Sequence, residues 1–251
     1  MVRILIHGCN GQMGKVVAAL AAQDETVEAA AGVDIMDDGK NEFPVFKRVC
    51  ECNVPVDVVV DFSSAKAVDF LLEDCVAGKL PLVLCSTGLD EGQLAAVEEA
   101  SKVIPVLRSA NMSLGINTLL KLVKEAAQIL AGAGFDMEIV ERHHNRKLDA
   151  PSGTALALAD SLNEGVKEPY HYTYDRSGRR QKRDPKEIGI SAVRGGSIVG
   201  DHEVIFAGTD EVVEFSHHAY SRNVFAKGAL EAAKFLAACR PGKYDMSDVI
   251  G

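Results

Sequence analysis

The run Val2-Arg3-Ile4-Leu5-Ile6-His7 leads directly into Gly8-Cys9-Asn10-Gly11-Gln12-Met13-Gly14, and a helical pattern spans Gln12 to Ala22. A buried strand that feeds a glycine loop and then a helix leaves few folds open. The glycines permit a tight turn and a close approach of backbone to a pyrophosphate, which then rests on the helix N-terminus. The usual spacing is G-x-G-x-x-G; here the middle glycine comes one place later. In such folds an acid at the end of the second strand, about 20 residues beyond the last glycine, holds the ribose hydroxyls. Asp34 stands 20 residues beyond Gly14, after Ala29-Ala30-Ala31-Gly32-Val33. Together these features favour a dinucleotide site at Gly8, Cys9, Asn10, Gly11, Gln12, Met13 and Asp34 over a plain turn with a solvated acid. A P-loop is excluded, because Val16 follows Lys15 where Ser or Thr is required.

The same rhythm continues through the first half. Strands are expected at Thr26–Val33, Val56–Asp61, Leu82–Cys85 and Val103–Leu107, with helices over Ala65–Ala77 and Glu91–Lys102 between them. Strands that are apolar throughout and alternate with helices imply a parallel sheet covered on both faces. Beyond Asn111 the pattern changes. Ile116–Leu130 reads as an amphipathic helix, and Phe135–Arg142 as a strand. Four strand-like pieces follow at Tyr170–Tyr174, Ile188–Arg194, His202–Ala207 and Glu211–His217. Their apolar–polar alternation suggests a mainly antiparallel sheet with one covered face. The polar stretch 167–187 reads as a mobile loop, and Phe225–Ala238 as a last helix.

Net charge is −9 over 251 residues, so the chain is a poor general binder of nucleic acid or anionic membrane, and no apolar run is long enough to span a bilayer. The first apolar run is too short for a secretion signal. The six cysteines show no zinc-ribbon spacing, and those in apolar surroundings, such as Cys85 and Cys239, read as small hydrophobes. A cytoplasmic location is expected.

Against that acidic background, Arg142-His143-His144-Asn145-Arg146-Lys147 gathers bases just ahead of Pro151-Ser152-Gly153-Thr154, which opens a helix. Backbone N–H groups at the helix start, the Ser152 and Thr154 hydroxyls and the helix dipole favour an anion there. A substrate with more than one carboxylate suits the arrangement, and a histidine beside it can pass protons near neutral pH. A solvated basic turn ahead of a capped helix is the structural alternative. No third ligand has the spacing for zinc.

At these residues the sequence resembles the 4-hydroxy-tetrahydrodipicolinate reductase (dihydrodipicolinate reductase) family. Glu141-Arg-His-His-Asn-Arg-Lys147 with Asp149-Ala-Pro-Ser-Gly-Thr-Ala155 is similar to the family's E-x-H-H-x-x-K-x-D-A-P-S-G-T-A signature. The glycine loop, Val60–Ser63, Cys85–Gly88, Ser109–Ser113 and Val193–His202 extend the resemblance over nearly the whole chain. It implies a Rossmann-like dinucleotide-binding domain, 1–112 with 223–251, and an α+β substrate-binding and oligomerisation domain, 113–222. It implies NADH or NADPH as cofactor, a dicarboxylate substrate, a homotetramer and a place in diaminopimelate and lysine biosynthesis. By this resemblance His143 is the general acid/base and Lys147 a proton donor that also holds substrate. His144 and the helix start at Ser152, Gly153 and Thr154 bind substrate carboxylates. Cys85, Ser86, Thr87, Ser109, Ala110, Asn111 and Met112 join the cofactor contacts. Two positions depart from the family: Cys85 stands where Gly is common, and Met112 where Phe is common.

Two rivals remain at this level. Another NAD(P)-dependent dehydrogenase shares the glycine loop, although the Glu-Lys-Pro mark of similar sugar dehydrogenases is absent. A non-enzymatic nucleotide sensor needs the loop and Asp34 but not the histidine–lysine cluster. Ile35 after Asp34 offers no cation for a 2′-phosphate, which favours NADH or at least no strong preference for NADPH, with Lys15 and the basic loops as the other sources of positive charge.

Overall fold

The computed structural model describes residues 1–251. In chain order the first elements are β1 (Val2–His7), α1 (Gln12–Ala21), β2 (Val27–Val33), β3 (Val45–Phe46), β4 (Val58–Asp61), α2 (Val68–Gly78), β5 (Leu82–Leu84), α3 (Glu91–Ser101) and β6 (Pro105–Leu107). There follow α4 (Leu114–Leu130), β7 (Asp136–His143), α5 (Gly153–Gly165), β8 (His171–Thr173), β9 (Glu187–Arg194), β10 (Gly200–Ala207), β11 (Val212–Ala219), α6 (Asn223–Leu236), β12 (Gly242–Tyr244) and α7 (Met246–Ile250). The chain divides into two compact units, Met1–Ser113 with Asn223–Gly251, and Leu114–Arg222.

The first unit is a seven-stranded sheet in the order β12-β6-β5-β4-β1-β2-β3, every pairing parallel. Its central strands are almost wholly apolar because helices cover both faces; Leu5, Val59, Leu82 and Val106 lie in one core with Leu71 and Val97 of the helices. The strand order reverses direction at β1, which lies between β2 and β4. That reversal opens a crevice at the strands' carboxyl ends, where ligands of such sheets bind. The glycine loop leaves β1 there. Asp90 starts α3 with a capping box, accepting from Gln93 N while the Gln93 side chain accepts from Asp90 N. The last helix, α6, packs on α1 and on the sheet of this unit. Gly228 makes that docking possible: a Cβ there would meet Met112 O at 1.6 Å. The two edge strands β3 and β12, of two and three residues, are too short to carry a period and had no sequence signal.

The second unit is a five-stranded sheet in the order β11-β10-β7-β9-β8, with α4 and α5 on its apolar face. It is mixed: β7–β10 and β10–β11 are antiparallel, while β7–β9 and β8–β9 are parallel. Alternation shows that one face is covered and is silent on strand direction. The long connections through α5 and through 174–186 make the parallel pairings possible.

The stretch expected to be mobile is tied down by charge. Glu187 is fully buried, and its carboxylate accepts from Arg176 Nε at 2.7 Å, Arg179 Nη2 at 2.6 Å and Thr173 Oγ1 at 3.1 Å. Arg176 and Arg183 also bind Glu138 on β7. Desolvation opposes ionisation of Glu187, yet the hydrogen bonds from Arg179 and Arg176 outweigh it and hold its pKa at about 2 against an ordinary 4.5. A pKa depressed in the fold contributes stability that is complete above 4.5 and is lost as pH falls toward 2. Urea midpoints taken at about pH 5 and about pH 3 should therefore drop more in the parent than in Glu187→Gln. Equal drops would remove this carboxylate from the acid sensitivity.

Candidate active site

Strand β7 alternates strictly, with Met137, Ile139, Glu141 and His143 on the buried side. The apolar stripe thus ends in an acid and a histidine two residues apart, on the same face of the strand. Glu141 is fully buried. Oε2 accepts from His143 Nδ1 at 2.6 Å and Arg194 Nη1 at 2.7 Å; Oε1 accepts from Arg194 Nη2 at 2.7 Å and Ser152 N at 3.0 Å. Burial opposes its charge, but the Arg194 fork, His143 and the Ser152 N–H outweigh that and lower its pKa. Glu141 therefore fixes the His143 ring with Nδ1–H inward, which leaves Nε2 as the nitrogen not held by Glu141. Sequence reading placed both residues in the signature but gave Glu141 and Arg194 no role; the two-residue spacing from His143 was the available signal.

Two further residues shape this ring's surroundings. His202 of β10 lies edge-on to His143, with centroids 5.1 Å apart. Burial, with His143 second, pushes the His202 pKa down to about 3, so this ring is neutral. Ser152 Oγ accepts from Ala155 N at 3.1 Å, capping α5, and lies 3.0 Å from His202 Nε2, which can take the hydroxyl proton. Ser152 is thus a buried cap whose hydroxyl is engaged inside the fold. Gly200 leaves room for the acid/base candidate, since a Cβ there would stand 3.1 Å from His143 Nε2.

Beyond β7 the chain turns through His144–Lys147, closed by Lys147 N to His144 O at 3.1 Å. Lys147 Nζ pairs with Asp149 Oδ1 at 2.8 Å, and that bond above all lowers the Asp149 pKa. Partial burial, and then the charge of Arg146, lower the pKa of His144. Its Nδ1 is buried without a protein partner. Helix α5 opens at exposed Gly153, with nothing within 4 Å of where a Cβ would point. His143, His144, Lys147 and the Gly153–Thr154 helix start therefore follow one another around the end of β7, as the sequence grouped them.

In the first unit, Gly8 adopts φ +81°, and a Cβ would meet Phe62 O at 2.9 Å. Gly11 caps α1, and a Cβ on Gly14 would stand 2.2 Å from Gly8 O, so the turn and the helix can close only around glycines. Asp34 reaches back to this loop: Oδ2 accepts from Asn10 N at 2.9 Å and Oδ1 from Met36 N at 3.1 Å. Asn10 binds Asn41 and the Met36 carbonyl, while Cys9 is buried, which raises its thiol to about 11. Gln12 and Met13 form the first turn of α1.

At the end of β5, Cys85 N donates to Asp61 O at 3.0 Å, and burial raises the Cys85 thiol pKa. Ser86 is buried while Thr87 is exposed. Burial opposes the charge of Asp61, but hydrogen bonds from His7, Ser63 and buried Ser86 outweigh it and lower its pKa. Ser109, Ala110, Asn111 and Met112 follow β6; Asn111 Oδ1 accepts from Ser113 N at 2.8 Å, and Met112 is buried against α6.

Comparison with known proteins decides between the rivals. Residues 2–112 match the family described as dihydrodipicolinate reductase, N-terminus, and 115–250 its C-terminus. The chain belongs to the dihydrodipicolinate reductase family. The 4-hydroxy-tetrahydrodipicolinate reductase of Caldanaerobacter subterraneus subsp. tengcongensis is 54% identical over 100% of this chain and 98% of its own length. That of Clostridium tetani is 48% identical over 98% and 96%. The family's reaction is the activity of this chain: NAD(P)H-dependent reduction of 4-hydroxy-tetrahydrodipicolinate to tetrahydrodipicolinate with loss of water, in diaminopimelate and lysine biosynthesis. Among solved structures, a dipicolinate-bound dihydrodipicolinate reductase from Paenisporosarcina sp. TG-14 shares the fold at a TM-score of 0.81 and 24% identity, over 98% of this chain and 97% of that one. A myo-inositol dehydrogenase from Corynebacterium glutamicum shares it at 0.59 and 14%, over 96% and 90%. The two thus share the fold, which by itself does not give function.

Proposed function

We propose that His143 is the general acid/base of this reductase and that Lys147 is a second proton donor that also holds the substrate. The observation that carries the reading is the buried Glu141 carboxylate, which binds His143 Nδ1 at 2.6 Å and is itself clamped by Arg194. A ring fixed from behind offers one nitrogen in one direction, the arrangement an acid/base catalyst requires. The Gly153–Thr154 helix start and Lys147 supply positive potential for carboxylates, and neutral His144 is a hydrogen-bonding partner beside them. Ser152 supports this site by capping the helix and carrying His202. The bound dipicolinate of the Paenisporosarcina relative is a small dicarboxylate, the charge pattern this arrangement suits.

The first unit fits a nicotinamide dinucleotide. Gly8, Gly11 and Gly14 let the turn close tightly onto the start of α1, the loop of Cys9, Asn10, Gln12 and Met13 presents backbone to a pyrophosphate there, and Asp34, held to the loop through Asn10 N, is the acid for a ribose hydroxyl. Cys85, Ser86 and Thr87, with Ser109, Ala110, Asn111 and Met112, border the crevice at the ends of β5 and β6. When bound, the cofactor supplies the hydride. The unit 1–112 with 223–251 then holds cofactor, and 113–222 holds substrate and builds a homotetramer. We place the enzyme in the cytoplasm.

The test is turnover. Purified protein supplied with synthase-generated substrate should oxidise NADH or NADPH in a substrate-dependent way, with measurable kcat/KM for at least one. No substrate-dependent oxidation of either would overturn the reading.

A further inference from the structure

Lys147, Leu148 and Asp149 are consecutive, and the middle side chain holds nothing: Leu148 is 99% exposed. The turn therefore keeps its shape through polar ties. Lys147 N donates to His144 O at 3.1 Å, and Arg194 Nη2 donates to the Asp149 carbonyl at 2.6 Å. The same nitrogen donates to Glu141 Oε1 at 2.7 Å, while Arg194 Nη1 donates to Glu141 Oε2 at 2.7 Å. Arg194 thus fixes two things at once, the carboxylate that holds His143 and the main chain at Asp149.

The Asp149 side chain continues the line. Its Oδ1 lies 2.8 Å from Lys147 Nζ, the one ion pair of that ammonium. The bond to Lys147 is the main cause of a lowered Asp149 pKa, so the side chain is a carboxylate at neutral pH. A pair whose acid is 57% exposed contributes little to stability. What it can set is direction. Lysine is a point charge on a flexible four-carbon stem, and its ammonium has three N–H donors. One donor taken by a carboxylate whose own main chain is tied leaves the other two in directions set by the first.

We infer that Asp149 is a positioning residue for the reduction: it holds the Lys147 ammonium in the direction from which it serves the substrate, and Arg194 ties that ammonium to the same frame as His143. The inference rests on the reading of Lys147 as proton donor and substrate holder. The frame is continuous. Lys147 Nζ meets Asp149 at 2.8 Å, the Asp149 carbonyl meets Arg194 at 2.6 Å, Arg194 meets Glu141 at 2.7 Å, and Glu141 meets His143 Nδ1 at 2.6 Å. Two groups that act on one small substrate gain from such a common support, because a misplacement of about 1 Å can cost ~10²-fold in rate. A carboxylate that merely competed with the substrate for the ammonium would have the opposite effect, since its removal would tighten substrate binding.

The experiment is steady-state kinetics of the full chain with synthase-generated substrate and saturating nucleotide. Asp149→Asn keeps the size and removes the charge, and kcat should fall about tenfold. Asp149→Glu returns a carboxylate on a stem one methylene longer and should recover most of that loss. The effect should vanish where there is no ammonium to hold: added to Lys147→Met, Asp149→Asn should change kcat by less than about twofold. General damage to the turn would persist in that background. An Asp149→Asn enzyme with the parent kcat, whether its KM is unchanged or lower, overturns the inference, and so does a tenfold loss that remains without the lysine. In those outcomes Lys147→Met alone still loses activity, and the role of Lys147 stands. A Lys147→Met enzyme as active as the parent removes Lys147 from the reaction and this inference with it.

Discussion

His143→Ala should lower kcat for the dihydropyridine substrate by about 10²–10⁴-fold, the usual worth of a positioned acid/base. Nucleotide affinity should stay near that of the parent, because the glycine loop and Asp34 are untouched. Lys147→Met should lose activity with a different signature, raising KM as well as lowering kcat, since the ammonium is assigned both a proton and a carboxylate. The two losses should not add in the double variant if the residues act on one transition state. Glu141→Gln separates positioning from chemistry. An amide opposite Nδ1 no longer dictates which ring nitrogen carries the proton, so kcat should fall and its pH profile shift while the fold survives. A His143→Ala enzyme within fivefold of the parent kcat would end the acid/base assignment.

How much of this was legible in the sequence depends on how local each feature is. Strand β1, the glycine loop and α1 are contiguous, and the twenty-residue offset to Asp34 is set by one helix and one strand; the Asn10 N to Asp34 bond is the physical content of that spacing. The basic cluster and the α5 start are also consecutive, so a short motif captured them. Features joined by pairing were out of reach. An amphipathic stripe does not say which sheet α6 covers, and only Gly228 inside a helical pattern hinted that another backbone comes close. The parallel pairing of β7 with β9 leaves the same alternation as an antiparallel one. Lys47 reaches the Ile35 carbonyl only because two residues of β3 pair with β2. Arg194 lies 53 residues from Glu141 in sequence, and the two meet through the register of β7 with β9.

That meeting sets the second large effect. Arg194→Met should destabilise the second unit by about 3 kcal/mol, the lower end of what removing one partner of a buried ion pair costs, because the Arg194 side chain keeps 19% exposure. The loss comes less from the attraction forgone than from the charge left behind. Glu141 has no exposure, and without the guanidinium fork only His143 and the Ser152 N–H remain to support its carboxylate. Its folded pKa should then rise, because the desolvation that Arg194 offsets is no longer opposed by the strongest hydrogen bonds. Two consequences separate this account from simple loss of packing. First, Arg194→Met should be least destabilised at low pH, where Glu141 can be protonated, whereas the parent should weaken as pH falls through the depressed Glu141 pKa. Second, adding Glu141→Gln to Arg194→Met should recover part of the stability, since the orphaned charge is gone, while activity stays low because His143 has lost its anchor. Urea denaturation of the parent, the two single variants and the double variant at two pH values measures both. A double variant less stable than Arg194→Met at neutral pH would mean that the arginine acts through packing and not through the carboxylate it holds.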